Sequence, residues 1–292
     1  MNIILIFNGL GNQMSQYAFY HAKSKFANNC KIIYYSDIKR QHNGLELTDL
    51  FGIPLDNKIE DRFLKLLSWL LIKASRFPYL LRFFSMFRIR LIKEAANYDF
   101  NKKYLEENKK GLNIFYGGWH SEKYFKLNRK ELKKIFSFPE NKLDKKIKEL
   151  SKEIESNEVS VSMHVRRGDY ISKKGAKFWA GICDEKYYKN GIKYFKEKFV
   201  NPVFYIFSDD IEWCKKTFKG SEFKFVETSN KLNAWNDMYL MTLCKHHINA
   251  NSTFSWWGAW LSKDSSITLR PKYFQNQKIC KDLYPEDWVV LE

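Results

Sequence analysis

Short apolar runs alternate with longer stretches in which apolar residues recur every third or fourth position. NIILIF at 2–7 is a continuous apolar run and predicts a buried strand. NGLGNQ at 8–13 predicts a turn. MSQYAFYHAKSKFANN at 14–29 predicts a helix, because Met14, Ala18, Ala22 and Phe26 fall on one face. KIIYYS at 31–36 predicts the next strand. Strand, glycine turn, helix and strand form a βαβ unit, so the chain opens as an α/β domain.

Residues 62–93 break the pattern. They hold eight basic residues and no acid among Leu, Phe, Trp, Tyr and Ile, and Pro78 divides them into two predicted helices. Two readings stay open: a basic amphipathic pair lying on anionic lipid, or helices packed on the domain with solvated arginines. Strand and loop return at 111–125. Polar, lysine-rich helices follow at about 129–136 and 141–155, and a domain boundary is placed after them. A second alternation then runs as strand 158–165, helix 184–199 interrupted at Gly191, strand 203–210 and helix 211–218. It continues with strand 223–227, helix 233–247, a short strand from His246, a helix over NSTFSWWGAWLS and a last strand SSITLRP. The organisation is two α/β domains, 1–155 and 156–292, with a cleft between them.

Charge adds a partner class. Fifty Lys and Arg against 33 Asp and Glu give a net +17, which favours an anionic partner: nucleic acid, anionic membrane or a phosphorylated small molecule. No nucleic-acid-binding module is evident, so nucleic acid is not expected. Five scattered cysteines without a CxxC fit reduced thiols in a cytosolic protein. MNIILIF reads as a first strand rather than a signal peptide. No apolar run is long enough to span a bilayer.

Candidate chemistry gathers at predicted strand ends. In HVRRGDY at 164–170, an arginine at the carboxyl end of an α/β strand suits an anion bidentately. Strand alternation would turn Arg166 to a ligand and Arg167 to an acid such as Asp169. A structural ion pair fits the same spacing. His164 shares the face of Arg166, either beside a bound base or as a hydrogen-bonded core histidine. Gly9, Gly11, Asn12 and Gln13 resemble a phosphate loop in outline but lack GxGxxG and the GKS/T of a P-loop. They fit either an anion or polyol contact or a tight turn with an Asn cap. Ser208, Asp209 and Asp210 end a strand and suit ribose hydroxyls or a helix cap. Asn251, Ser252, Thr253 and Ser255 cluster at a predicted helix start, an anion site in form. No DxD occurs, and His246 beside His247 is a poor metal pair.

Together, FNGLGNQMSQYAFY at 7–20, HVRRGDY, FSDD at 207–210 and NSTFSWWGAWL at 251–261 resemble the bacterial α-1,2-fucosyltransferases, relatives of the animal blood-group H enzymes. GGWHSEKYF at 117–125 is similar to the family's YFQSEKYF, with Trp119-His120 where Phe-Gln is usual. The resemblance implies a GT-B-type α/β fold of two Rossmann-like domains facing across a cleft. The amino-terminal one carries acceptor contacts and the carboxyl-terminal one binds GDP-fucose. It implies Arg166 on the donor β-phosphate, His164 and Asp237 at guanine, and Ser208, Asp209 and Asp210 beside the nucleotide. Asn251, Ser252, Thr253 and Ser255 fall on the pyrophosphate side, and Asn12 and His120 join Arg166 as catalytic candidates. The implied reaction is inverting transfer of L-fucose to a galactose 2-hydroxyl, without a divalent metal or other cofactor. The base is open between an amino-terminal acid, His120 and a dissociative route. Implied partners are GDP-fucose and a galactose-containing or lipid-linked glycan, as in O-antigen synthesis. The expected location is cytoplasmic or peripheral on the inner membrane. The rivals are another nucleotide-sugar transferase and a non-enzymatic basic membrane-surface protein.

Overall fold

The structure, a computed structural model, describes residues 1–35, 43–54, 59–171, 178–228, 233–263, 266–275 and 278–291. It divides into two compact units, Met1–Phe138 with Lys281–Leu283, and Pro139–Cys280 with Tyr284–Glu292. The sequence places the boundary at 155. In the structure the helix Lys145–Ser156 belongs to the second unit, capped where Asp144 Oδ1 accepts from Ile147 N at 2.9 Å.

The first unit runs β1 Asn2–Ile6, α1 Leu10–Lys23, β2 Cys30–Tyr34, α2 Glu46–Phe51, α3 Ile59–Ala74, α4 Pro78–Met86, β3 Ile89–Lys93, α5 Lys103–Glu106, β4 Leu112–Tyr116 and α6 Arg129–Ile135. Its sheet is parallel throughout, in the order β2-β1-β4-β3. Alternation sorts the central strand. Ile3 and Leu5 join Leu64, Leu67 and Leu71 of α3 in one core. Ile4 and its register partner Phe115 take the other face, where Phe115 meets Phe19 of α1 at 5.8 Å between ring centres. Lys23 ends α1 fully buried, its Nζ donating to the carbonyls of Leu105 at 2.8 Å and Glu107 at 2.7 Å. Two strong hydrogen bonds thereby offset the desolvation of an ammonium.

The second unit runs α7 Lys145–Ser156, β5 Ser160–Val165, α8 Glu185–Lys198, β6 Val203–Ser208, α9 Ile211–Thr217, β7 Phe223–Phe225, α10 Trp235–Leu243, β8 His246–Ile248, α11 Thr253–Leu261, β9 Ile267–Pro271 and β10 Val289–Leu291. Its parallel sheet is ordered β10-β9-β8-β5-β6-β7. Counted from β5 this is the doubly wound arrangement of dinucleotide-binding sheets, whose topological switch point falls between the first and fourth strands, here β5 and β8. Val161, Met163 and Val165 pack with Tyr187, Tyr188, Ile192 and Phe195 of α8, while Ser162 and His164 fall on the other face of β5.

Several boundaries differ from the pattern. α1 begins one turn earlier than 14 and ends at Lys23, because Gly9 caps it and Asn12 N and Gln13 N already bond back to Gly9 O. α8 continues through Gly191 without interruption. The missing side chain serves packing there, since a Cβ would lie 3.0 Å from Ile248 Cδ1. The stretch 62–93 holds two helices as predicted and also β3, and β10 follows the strand expected to be last.

Glu94, the residue after β3, ties down the turn after β4. Its Oε2 accepts from both Gly118 N and Trp119 N at 2.7 Å, and Oε1 is sealed from solvent with no hydrogen-bond partner. Trp119 has a left-handed φ of 55°, uncommon for a bulky residue, and its fully buried ring stacks on Phe19 at 4.2 Å. Burial raises the Glu94 carboxyl from 4.5 to about 7, outweighing the two amides, which favour the anion. A raised acid contributes stability that is full below the unfolded value and is lost as pH rises through the folded one. Melting of the wild type should therefore fall relative to Glu94→Gln as pH rises from about 4.5 to about 7. Parallel melting curves across that window would show that the carboxyl does not titrate in this way.

Candidate functional site

The second unit gathers its polar side chains at the carboxyl ends of its strands. β5 pairs with β6 in register up to Val165 and Ser208. The ladder stops there, yet the pairing continues in step through side chains. Arg166 Nη1 meets Asp209 Oδ2 at 2.8 Å, and Arg167 Nε meets Asp210 Oδ2 at 3.1 Å. Asp209 Oδ1 also accepts from Arg167 N at 2.9 Å. Gly168 allows this approach, since a Cβ there would stand 2.6 Å from Asp209 Oδ2. Strand alternation does not extend to the two arginines, because both lie beyond β5 and each meets an aspartate of β6's end. Asp169, the sequence's candidate partner for Arg167, has a side chain outside the described residues. Arg167 further lies over Trp213 at 4.1 Å, and Arg166 over Tyr170 at 5.6 Å.

Asp210 caps α9, accepting from Trp213 N at 3.2 Å, while Ser208 Oγ accepts from Asp210 N at 3.0 Å. Of the readings offered for FSDD the helix cap is filled, and the carboxylates face arginines. Across the switch point, the β5 and β8 loops are joined where Tyr170 Oη donates to Asn251 O at 2.9 Å. Asn251 is buried, its Nδ2 donating to Phe274 O at 3.0 Å. Ser252 caps α11 by accepting from Phe254 N at 3.3 Å, Ser255 Oγ donates back to Ser252 O at 3.4 Å, and Thr253 is partly exposed. Asn251 and Ser255 are thus used structurally. Ser252 and Thr253 stand at the helix start.

His164 is buried beside Phe254, ring centres 5.8 Å apart, and burial followed by the Arg166 charge lowers it to about 3. It is neutral at pH 7. Asp237, in the first turn of α10, is raised by burial to about 6, although Thr228 Oγ1 donates to its Oδ1 at 2.8 Å. Thr228 follows β7, so Asp237 belongs to the same sheet edge, two strands from Arg166. A cavity of about 280 Å³ opens beside the arginines, lined by Arg166, Arg167, Tyr170, Trp179, Trp213 and Asn251. His164, Asp209, Asp210, Asp237, Ser208, Ser252, Thr253 and Ser255 do not line it.

In the first unit, Asn12 and His120 follow β1 and β4, which are neighbours at the centre of its sheet. Asn12 lies in the first turn of α1 and is partly exposed. It does not cap the helix. Gln13 is buried and occupied, donating to Asn8 O and Gly44 O at 2.7 Å each and accepting from Glu46 N at 3.0 Å. His120 is buried against Tyr98 at 5.0 Å between ring centres, and burial lowers it to about 3. An imidazole so placed is a weak proton acceptor. Glu94 is a titratable group that the sequence did not single out, because the strand it follows, β3, was itself hidden in the basic stretch.

Among the described residues no group of three or more His, Cys, Asp or Glu side chains could hold a metal ion. His247 lies between Ser162 Oγ at 2.8 Å and Ser262 Oγ at 3.0 Å, and His246 Nδ1 accepts from Ile267 N at 3.1 Å. Both histidines serve the core. The five cysteines are free thiols.

Comparison with known proteins agrees with this layout. Residues 100–292 match the profile of glycosyl transferase family 11. An alpha-1,2-colitosyltransferase of Escherichia coli is 38% identical over 97% of this chain and 96% of its own length. Galactoside alpha-(1,2)-fucosyltransferase 1 of Homo sapiens is 29% identical over 44% of this chain and 37% of its own length. Among solved structures, a mutant of Arabidopsis thaliana FUT1 in complex with GDP superposes with a TM-score of 0.53 at 12% identity, over 99% of this chain and 75% of that one, a likeness of fold. With its two parallel-sheet α/β units of GT-B type, the chain belongs to glycosyl transferase family 11 and is a glycosyltransferase.

Proposed function

We propose that the chain transfers L-fucose from GDP-β-L-fucose to the 2-hydroxyl of a galactose residue in a glycan acceptor, with inversion. The observation that carries the reading is the arginine pair at the end of β5, beside the capped start of α11 at the switch point and open to a cavity. Similarity along almost the whole chain to an α-1,2-glycosyltransferase supports the linkage. As the glycosidic bond breaks, negative charge grows on the departing diphosphate. The Arg166 guanidinium and the α11 amides are proposed to neutralise it. In this reading Asp209 and Asp210 hold the arginines until the nucleotide arrives, and Asp237 accepts from the guanine N1–H and 2-amino group, with His164 nearby as a neutral hydrogen-bonding group. Asn12 is the proposed acceptor-side contact. His120, buried and neutral, is proposed to shape the turn that it shares with Trp119.

The same relative favours a second reading, a colitosyl donor. Colitose is L-fucose without its 3-hydroxyl, so the diphosphate chemistry is unchanged and the two differ in one polar contact. Release of GDP from GDP-fucose, GDP-colitose and GDP-mannose with a β-galactoside acceptor separates them. GDP-fucose is expected to turn over fastest. Preference for GDP-colitose would select the second reading, and equal use of GDP-mannose would reject both.

Arg166→Lys should lower kcat by about 10²-fold or more at saturating substrates, the scale of one lost transition-state donor. Arg167→Lys forfeits its place over Trp213 and should act mainly through a lower melting temperature. The opposite ranking, a folded but inactive Arg167→Lys beside an active Arg166→Lys, would exchange their roles.

Asp237 supplies a pH signature. Its acid is raised to about 6 in the free protein, and a guanine donating to the carboxylate would pull it down again. GDP affinity should therefore rise with pH through about 6 and level off above it. Calorimetric titration should show this slope in the wild type and its loss in Asp237→Asn. A slope that survives in Asp237→Asn would place the titrating group elsewhere.

A further inference from the structure

The helices α3 and α4 present apolar side chains on the faces turned away from their own core. Leu64, Leu67 and Leu71 of α3 pack inward, while Phe63, Leu66 and Leu70 stand exposed, Phe63 at 65%. α4 has no buried residue at all although most of it is apolar, and Tyr79, Phe83 and Met86 line its outer face, Met86 at 76%. Nine of the eighteen large apolar side chains exposed among the described residues fall between Phe63 and Phe87. Such a concentration marks a covered surface rather than the scatter normal for a globular protein.

Charge selects the cover. Arg62, Lys73, Arg76, Arg82 and Arg88 are exposed among these apolar groups, and 62–93 contains no acid. A second copy meeting the same face about a two-fold axis would set these cations against themselves. A bilayer surface with anionic headgroups accepts both components, apolar rings and methylenes at the acyl boundary and guanidinium groups among the phosphates. Among the described residues no helix is long and apolar enough to cross a membrane, so the contact lies in the surface plane. We propose that the outer face of α3 and α4 is a docking surface for an anionic lipid bilayer.

The test is co-sedimentation of the full chain with vesicles of phosphatidylcholine alone and of phosphatidylcholine and phosphatidylglycerol in equal parts. Binding should require the anionic lipid and fall as salt is added. Arg76→Ala and Arg82→Ala should each weaken it about fivefold, near the worth of one arginine at such a surface. Phe83→Asp with Met86→Asp should abolish it at an unchanged melting temperature. If the aspartate pair unfolds the protein, the arginine variants decide alone. Equal partition to neutral vesicles, no binding at low salt, or full binding by the variants would overturn the proposal. So would concentration-dependent self-association, without vesicles, that Phe83→Asp disperses, because the face would then belong to a second copy.

Discussion

The register of β5 against β6 governs the charged edge of the second unit. Once Val165 is opposite Ser208, the next residues of each chain segment are arginine on one side and aspartate on the other, twice over. The pairs need no backbone ladder of their own because side chains carry the same step beyond it. A one-residue slip of β5 would exchange its faces, sending Val161, Met163 and Val165 out of the α8 core and separating each arginine from its acid. Hydrophobic sorting and charge pairing therefore specify one register, and that agreement gathers four charges at the carboxyl edge of the sheet.

The strand order completes the arrangement. β5 and β8 are neighbours although α8, β6, α9, β7 and α10 separate them along the chain, and their following loops diverge to leave a crevice. The Tyr170 hydroxyl spans these loops to Asn251, so the arginine turn and the start of α11 are held by a bond between side chain and backbone. In the first unit it is the neighbours β3 and β4 whose ends are held together, Glu94 after β3 gathering two amides of the turn after β4.

Much of this was legible in the sequence because local pattern and global fold agree. NIILIF is a strand on apolar content and the run before HVRRGDY on its alternation, and the turn residues that follow them locate the sheet edge. What escaped has physical causes. β3 hides because Ile89–Lys93 continues a basic, aromatic stretch with no change of composition, and as an edge strand it alternates weakly. β10 is three residues long. Gly191 reads as a breaker until the nearby Ile248 explains it as close packing. At the site, residue types were visible but their occupation was not. Asn251 and Gln13 have the amides of a sugar-binding residue, yet their bonds go to the protein's own backbone. The pairing of Arg166 with Asp209 crosses a sequence gap that no local pattern reveals.

The paired arginines also bear on how long an anion stays. A bare guanidinium would hold any diphosphate tightly, before and after reaction alike. Here two carboxylates already occupy both cations, so an arriving anion must displace them, and its departure restores two ready-made contacts. The aspartates thus compete from within the protein. Under the proposed function they would trim retention of spent nucleotide while leaving untouched whatever extra attraction develops as a bond to phosphate breaks. Product release limits turnover in many enzymes, so under the proposed function the residues that cover the arginines would also hasten clearance of the site.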